Sequence, residues 1–347
     1  EERVVRWTRE ILEALPALKA AGSQEAPIPI TFFEFTTAMA MAHFASEGVN
    51  VAIFETGMGG RLDATNVCHP LVSVITTISL EHQEFLGRRL VEIAGEKAGI
   101  IKPGVPVVCG ASHPRAREVV EATCRDRTAP FYQLGREFRA CGTPDAFSYE
   151  GITLSMPGLH TPLRGRHQVR NAALALATAE NLMARGYPIT REAIARGLAD
   201  VRWRGRQEWF PGPPQLLLDG AHNPEAMRTL CASLRRDYQF ERLRVLMGVM
   251  REKDHRKMIS LLSPLAHEFV FSRPHLDRAQ DPWVLQAEAG RLGCRATVVE
   301  EVREAFQGLL QSAEEGDMLC VTGSLFAVGE VLALLERNQL HSGCALT

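Results

Sequence analysis

Several stretches place groups able to do chemistry at the ends of apolar runs. Residues 52–66, AIFETGMGGRLDATN, bring Glu55 to the end of one such run, with glycines 57, 59 and 60 next and Asp63, Thr65 and Asn66 behind them. Glycines there let backbone N–H groups approach an anion or a flat ligand. Residues 78–99, ISLEHQEFLGRRLVEIAGEKAG, present Glu81 and His82 and then Lys97. A carboxylate with an imidazole suits Mg²⁺ or Mn²⁺. Lys97 is one of only five lysines among 39 basic residues. Ile93 and Ile101 stand four residues to either side of it, so no helical ion pair explains it. Residues 216–224, LLLDGAHNP, deliver Asp219, His222 and Asn223 in the same way. Further runs end near Lys253-Asp254 and at VTGSL, 321–325. Taken singly, each has a plain reading: a turn carboxylate in water, a loop histidine on a carbonyl, a lysine on a solvated face. Three run ends in one domain, aimed alike, make a cleft.

The elements that must hold these groups follow from periodicity. Helices are expected at 2–15 (ended or kinked by Pro16), 34–47, 89–100 and 114–126, with a loop at 22–30. Strands are expected at 50–54, 71–77 and 105–109. Residues 134–165 read as a β-hairpin excursion turning at Glu150-Gly151, before helices at 168–184 and 190–199. His167, Gln168 and Asn171 open the first of these helices, where plain N-terminal capping is the simple account. Residues 202–214, RWRGRQEWFPGPP, read as a linker. Arg202, Arg204 and Arg206 beside Trp203 there suit phosphate and a stacked ring, or are only a basic surface. Strands at 215–219, 243–249, 267–272, 295–299 and 317–322 then alternate with helices at 223–236, 254–264, 281–292, 301–314 and 326–337. That alternation specifies an open parallel sheet with helices on its faces.

Composition bounds the function. The 347 residues are 46% apolar and 23% charged, with a net charge of −2, which fits two globular domains and no dedicated nucleic-acid or membrane binder. No run of 18 apolar residues occurs. The eight cysteines have neither C-x-x-C nor zinc spacing and read as reduced thiols of a cytoplasmic protein.

In order and spacing, the segments ITFFEFTT, ETGMGGRLDATN, ISLEHQEFLG, EKAGIIKPG, GRHQVRNAALA, WRGRQE, LLLDGAHNP and VTGSL resemble the folylpolyglutamate synthase and dihydrofolate synthase family, relatives of the Mur ligases. The resemblance implies an α/β chain: a P-loop-type Mur central domain over 1–204, then a smaller Rossmann-like domain over 205–347. It implies ATP-dependent joining of L-glutamate to dihydropteroate or a folate through an acyl phosphate. Mg²⁺ would be held by Glu55, His82 and a carbamylated Lys97, with Lys97 and His222 catalytic. Asn171, Arg206 and Asp219 would contact ATP. Thr31 with Arg61, Leu62, Asp63 and Ala64 would line the pterin side, and Ser324 the glutamate. A monomer is expected.

Three departures qualify the resemblance. No lysine follows a glycine, so the family's P-loop and its first βα unit are missing, as in an N-terminally truncated chain. Such a chain is expected to be inactive alone and to expose an unpaired sheet edge and apolar surface. Glu81 replaces a more usual Asp, and WRGR a more usual W-P-G-R. The competing readings are a non-catalytic folate- or nucleotide-binding paralogue and a Mur-type amide ligase with another acceptor.

Overall fold

A computed structural model describes residues 2–21 and 30–342, in two units, Glu1–Gln133 and Leu134–Thr347. The expected loop at 22–30 lies, but for its last residue, outside the described residues. Among the described residues no helix is long and apolar enough to cross a membrane.

In the first unit α1 (Glu2–Ala21) precedes α2 (Phe32–Glu47), β1 (Ser73–Ile75), α3 (Gln83–Leu86), α4 (Leu90–Ala98), β2 (Val107–Cys109), α5 (Pro114–Asp126) and β3 (Phe131–Gln133). The three strands form one parallel sheet, with Ser73 opposite Val107 and Val107 opposite Phe131. Ile93 of α4 and Val120 of α5 join Ile75, Val107 and Cys109 in its core. Two expectations fail here. Pro16 does not end the helix, which runs on to Ala21, since a proline removes a single i→i−4 bond and the turns beyond it can still form. Residues 50–54 form no strand. An apolar run becomes a strand only when a neighbour takes up its N–H and C=O groups. Among the described residues the sheet runs only β1-β2-β3, and Ile53 is 89% exposed. Phe32, Leu62 and Val67 also lie on the surface of this unit.

The second unit begins with an antiparallel meander, β4 (Arg139–Thr143), β5 (Ala146–Glu150) and β6 (Ser155–Leu159), one strand more than the hairpin expected. It is fastened to α6 (Arg166–Met183) by one buried carboxylate. Glu180 accepts the Tyr149 hydroxyl at 2.6 Å and the N–H groups of Ile152, Thr153 and Leu154 at 3.0, 2.7 and 2.6 Å. Helix α7 (Arg191–Asp200) follows.

The expected linker contains β7 (Glu208–Phe210), paired antiparallel to β8 (Gln215–Leu218). Then come α8 (Pro224–Asp237), β9 (Arg242–Met247), α9 (His255–Leu262), β10 (Ala266–Phe271), α10 (Pro282–Arg291), β11 (Ala296–Val298), α11 (Val302–Gln311), β12 (Asp317–Thr322) and α12 (Leu325–Ser342). The sheet order is β11-β10-β9-β12-β8-β7. Leu217 packs with α8, α9 and α10 on one face, while Leu216 and Leu218 pack with α11 and α12 on the other. This is the two-residue alternation of a strand buried on both faces. The chain leaves adjacent β8 and β12 towards opposite faces, so their carboxyl ends flank the crevice where open α/β sheets bind ligands.

Candidate active site

In the first unit the glycine-rich loop rests on the end of α4. The Arg61 N–H donates to the Glu96 carbonyl at 2.8 Å, and its guanidinium pairs with the Glu96 carboxylate at 2.9 Å. Gly99 permits this approach, because a Cβ there would lie 2.4 Å from the Arg61 backbone. Asp63 is spent inside the loop. One carboxylate oxygen accepts the Met58 N–H at 3.0 Å, and the other accepts the N–H and hydroxyl of Thr65 at 3.0 and 2.7 Å. Ala64 is half-buried beside it and Leu62 is exposed. Thr31 caps α2, its hydroxyl accepting the Glu34 N–H while the Glu34 carboxylate accepts the Thr31 N–H.

Lys97 faces the end of the run after β1. Its Nζ lies 3.1 Å from Glu81 Oε1, and both side chains are largely buried. His82 opens α3 with φ of 48°, a left-handed backbone that histidine adopts more readily than most residues with a Cβ. Glu55 is exposed on the unpaired run. Among the described residues no three His, Cys, Asp or Glu side chains converge on a metal position. The donor chemistry nevertheless fits a divalent cation. Carboxylate and imidazole donors suit such an ion, while Lys97 as it stands is the counter-ion of Glu81.

In the second unit Asp219 stands at the end of β8, only 8% exposed. Its carboxylate accepts the N–H groups of Gln207 at 3.0 Å and Ala221 at 2.9 Å. Burial pushes its pKa up to about 6, against the pull of those two N–H groups and of Arg206. The loops around it are stitched together: the Gly220 N–H reaches the Gly205 carbonyl at 2.8 Å, and the Gly323 N–H the Ala221 carbonyl at 3.0 Å. His222 Nδ1 lies 2.9 Å from the Gly220 carbonyl. A carbonyl oxygen can only accept, so Nδ1 carries the proton in that contact.

Asn223 and Ser324 act as caps. Asn223 Oδ1 accepts the Ala226 N–H at 2.8 Å, and buried Ser324 accepts the Ala327 N–H at 3.1 Å. Asn171 donates to Gln168 Oε1 at 3.0 Å on the first turns of α6. Arg206 is half-buried and close enough to lower the pKa of both Asp219 and His167. The structure thus brings the Arg206 charge to bear on Asp219, with His222 three residues beyond Asp219 and Asn171 on the first turns of α6. Sequence reasoning missed Gln207 and Gly165, which carry no charge, and missed that Glu81 pairs with Lys97.

Comparison with known proteins agrees with this architecture. Residues 5–179 match the Mur ligase middle domain, and residues 205–325 match the Mur ligase glutamate ligase domain. The dihydrofolate synthase/folylpolyglutamate synthase of Bacillus subtilis is 32% identical over 340 residues, covering 95% of this chain and 78% of that protein. Among solved structures, the Mycobacterium tuberculosis folylpolyglutamate synthase complexed with ADP superposes with a TM-score of 0.87 at 31% identity, covering 96% of this chain and 78% of that one. The bifunctional enzyme of Yersinia pestis, with Mn, AMPPNP and L-glutamate bound, gives 0.79 at 30%, covering 89% and 72%. A Mur middle domain followed by a Mur glutamate ligase domain defines an ATP-dependent ligase. The chain belongs to the folylpolyglutamate synthase/dihydrofolate synthase family.

Proposed function

We propose that the chain belongs to a ligase that joins L-glutamate to the carboxylate of dihydropteroate or of a folate at the expense of ATP, and that the reaction needs a phosphate-loop lysine which these 347 residues do not supply. The match to such enzymes across both Mur domains carries this reading. A substrate carboxylate oxygen attacks the γ-phosphorus of ATP and ADP leaves. The glutamate nitrogen then attacks the acyl carbon, phosphate leaves, and the nitrogen loses a proton. The burden on the protein is to place the groups in line and to counter crowded negative charge.

Asn171, Arg206 and Asp219 hold the nucleotide in this reading, Arg206 supplying positive charge to the phosphates. His222, three residues beyond Asp219, takes up the released proton in this reading. Arg61 to Ala64 and Thr31 border the pterin, and Ser324 the glutamate. Glu55, His82 and carbamylated Lys97 would hold Mg²⁺, which supplies charge neutralisation at the phosphate oxygens.

The test is incubation with ATP, Mg²⁺, L-glutamate and either dihydropteroate or tetrahydrofolate, with ADP and the glutamylated product followed by mass. Because no lysine follows a glycine in the 347 residues, the assay is run on them and on a version to which a glycine-rich phosphate loop with its lysine has been added. The reading expects no turnover by these residues alone. Product with a different amino acid, or ADP binding without product in the version that carries the loop, would overturn it. In a version that turns over, Lys97→Ala lowers the rate at least about 100-fold. An unchanged rate rules out the carbamate.

A further inference from the structure

Gln207 is 2% exposed, and its backbone is left-handed at φ 47°, a conformation that a residue with a Cβ adopts at a cost. The kink turns its N–H onto Asp219 at 3.0 Å. Its side chain turns the other way, towards the first turn of α6. There Gly165, at φ 91°, bares its Cα: a Cβ on it would lie 2.7 Å from His167 Nδ1 and 3.0 Å from Gln207 Oε1. The two polar atoms therefore face one small space, and both are buried without a partner. Each orphan costs about 1–3 kcal/mol, and a mutual hydrogen bond, reached by a turn of the carboxamide, removes both costs.

We propose that Gln207 is a positioning residue of the nucleotide site, its carboxamide bonding His167 Nδ1 and its peptide N–H holding Asp219, so that one residue ties the start of α6 to the end of β8. The proposal rests on reading this region as the nucleotide site. His167 opens the helix that carries Asn171, and Asp219 closes the strand beside Arg206. Through Gln207 the two groups of contacts keep one spacing. The charges around His167 are consistent with a neutral, hydrogen-bonding ring. Burial lowers its pKa first and Arg206 second, with Arg236 adding to them and Asp237 opposing.

The test uses two variants. Gln207→Asn keeps an amide and suits the left-handed backbone, but withdraws the carboxamide by one methylene. Gln207→Glu restores an acceptor at full reach. In ADP titrations the dissociation constant rises about tenfold in Gln207→Asn and returns to within about threefold of wild type in Gln207→Glu. Without nucleotide, the NMR titration of His167 moves to higher pH in Gln207→Glu, because a carboxylate on Nδ1 favours the imidazolium. A carboxylate moves that titration by charge alone, so the decision falls on Gln207→Asn: the 15N shifts of His167 lose the Nδ1-protonated ring of wild type, and unchanged shifts overturn the proposal. Arg206→Ala is the control for the underlying reading. If it leaves ADP affinity unchanged, the nucleotide-site reading fails. If it weakens ADP while Gln207→Asn does not, Gln207 alone is wrongly placed.

Discussion

Two apolar runs in this chain end in a carboxylate, VAIFE at 51–55 and QLLLD at 215–219, and the fold treats them in opposite ways. The second is β8, held by β12 on one side and β7 on the other, with Leu217 fully buried and Asp219 fixed by two backbone N–H groups. The first pairs with no strand among the described residues, and its Ile53 points into solvent. Composition does not separate them. A strand is a property of its neighbours, and its neighbours come from distant sequence. A carboxylate on a paired strand is preorganised by burial and hydrogen bonds, whereas Glu55 lies exposed on a run that pairs with no strand among the described residues.

Substitutions can break this contrast. Leu217→Ala should cost about 2–5 kcal/mol in urea unfolding, because it opens a cavity between β8 and three helices. A loss below 1 kcal/mol, ~half the low end of that range, would mean β8 is no more fixed than 51–55. The Asp219 carboxyl gives an intermediate effect with a distinctive sign. Its folded pKa of about 6 lies above its ordinary 3.8, so the folded state holds the proton more tightly. Its stabilising contribution is therefore complete at low pH and is lost as pH rises towards 6, by at most about 3 kcal/mol. Asp219→Asn, which cannot ionise, should flatten that part of a melting-temperature profile between pH 4 and pH 7 (range set at about the two pKa values). A profile of unchanged slope would remove the buried-carboxylate account. Smallest of all, Ile53→Ala should move the unfolding midpoint by no more than about 0.5 kcal/mol. A core-sized loss there would show that the run is paired after all.

The second unit was the more legible half. Its strands and helices alternate with turn residues between them, and five strands lie where periodicity places them. Strand β7 was hidden because Pro211, Gly212, Pro213 and Pro214 mark the segment as a linker. A three-residue antiparallel edge strand has too little period to outweigh them. Glu180 could have been found. The apolar stripe Val169, Ala173, Leu176 and Ala177 runs directly into it, and a charge on a buried stripe needs partners. At the site, charged residues at run ends were readable. Gln207 was not, since its role arises from a left-handed kink that no local pattern announces. The Lys97–Glu81 contact links a helix to a loop 16 residues earlier, and spacing alone does not encode it.

The meander has two turns, and they differ in what they would tolerate as places to graft foreign sequence. The Glu150–Ser155 turn has three successive N–H groups committed to the Glu180 carboxylate, and a Cβ on Gly151 would strike that carboxylate at 2.2 Å. The Thr143–Ala146 turn has Asp145 and Ala146 exposed; its Pro144 carbonyl accepts the Thr161 N–H at 2.8 Å, and among the described residues no carboxylate gathers its N–H groups. A tag or reporter loop inserted at the second therefore leaves the meander seated on α6, while the same insertion at the first would pry it off.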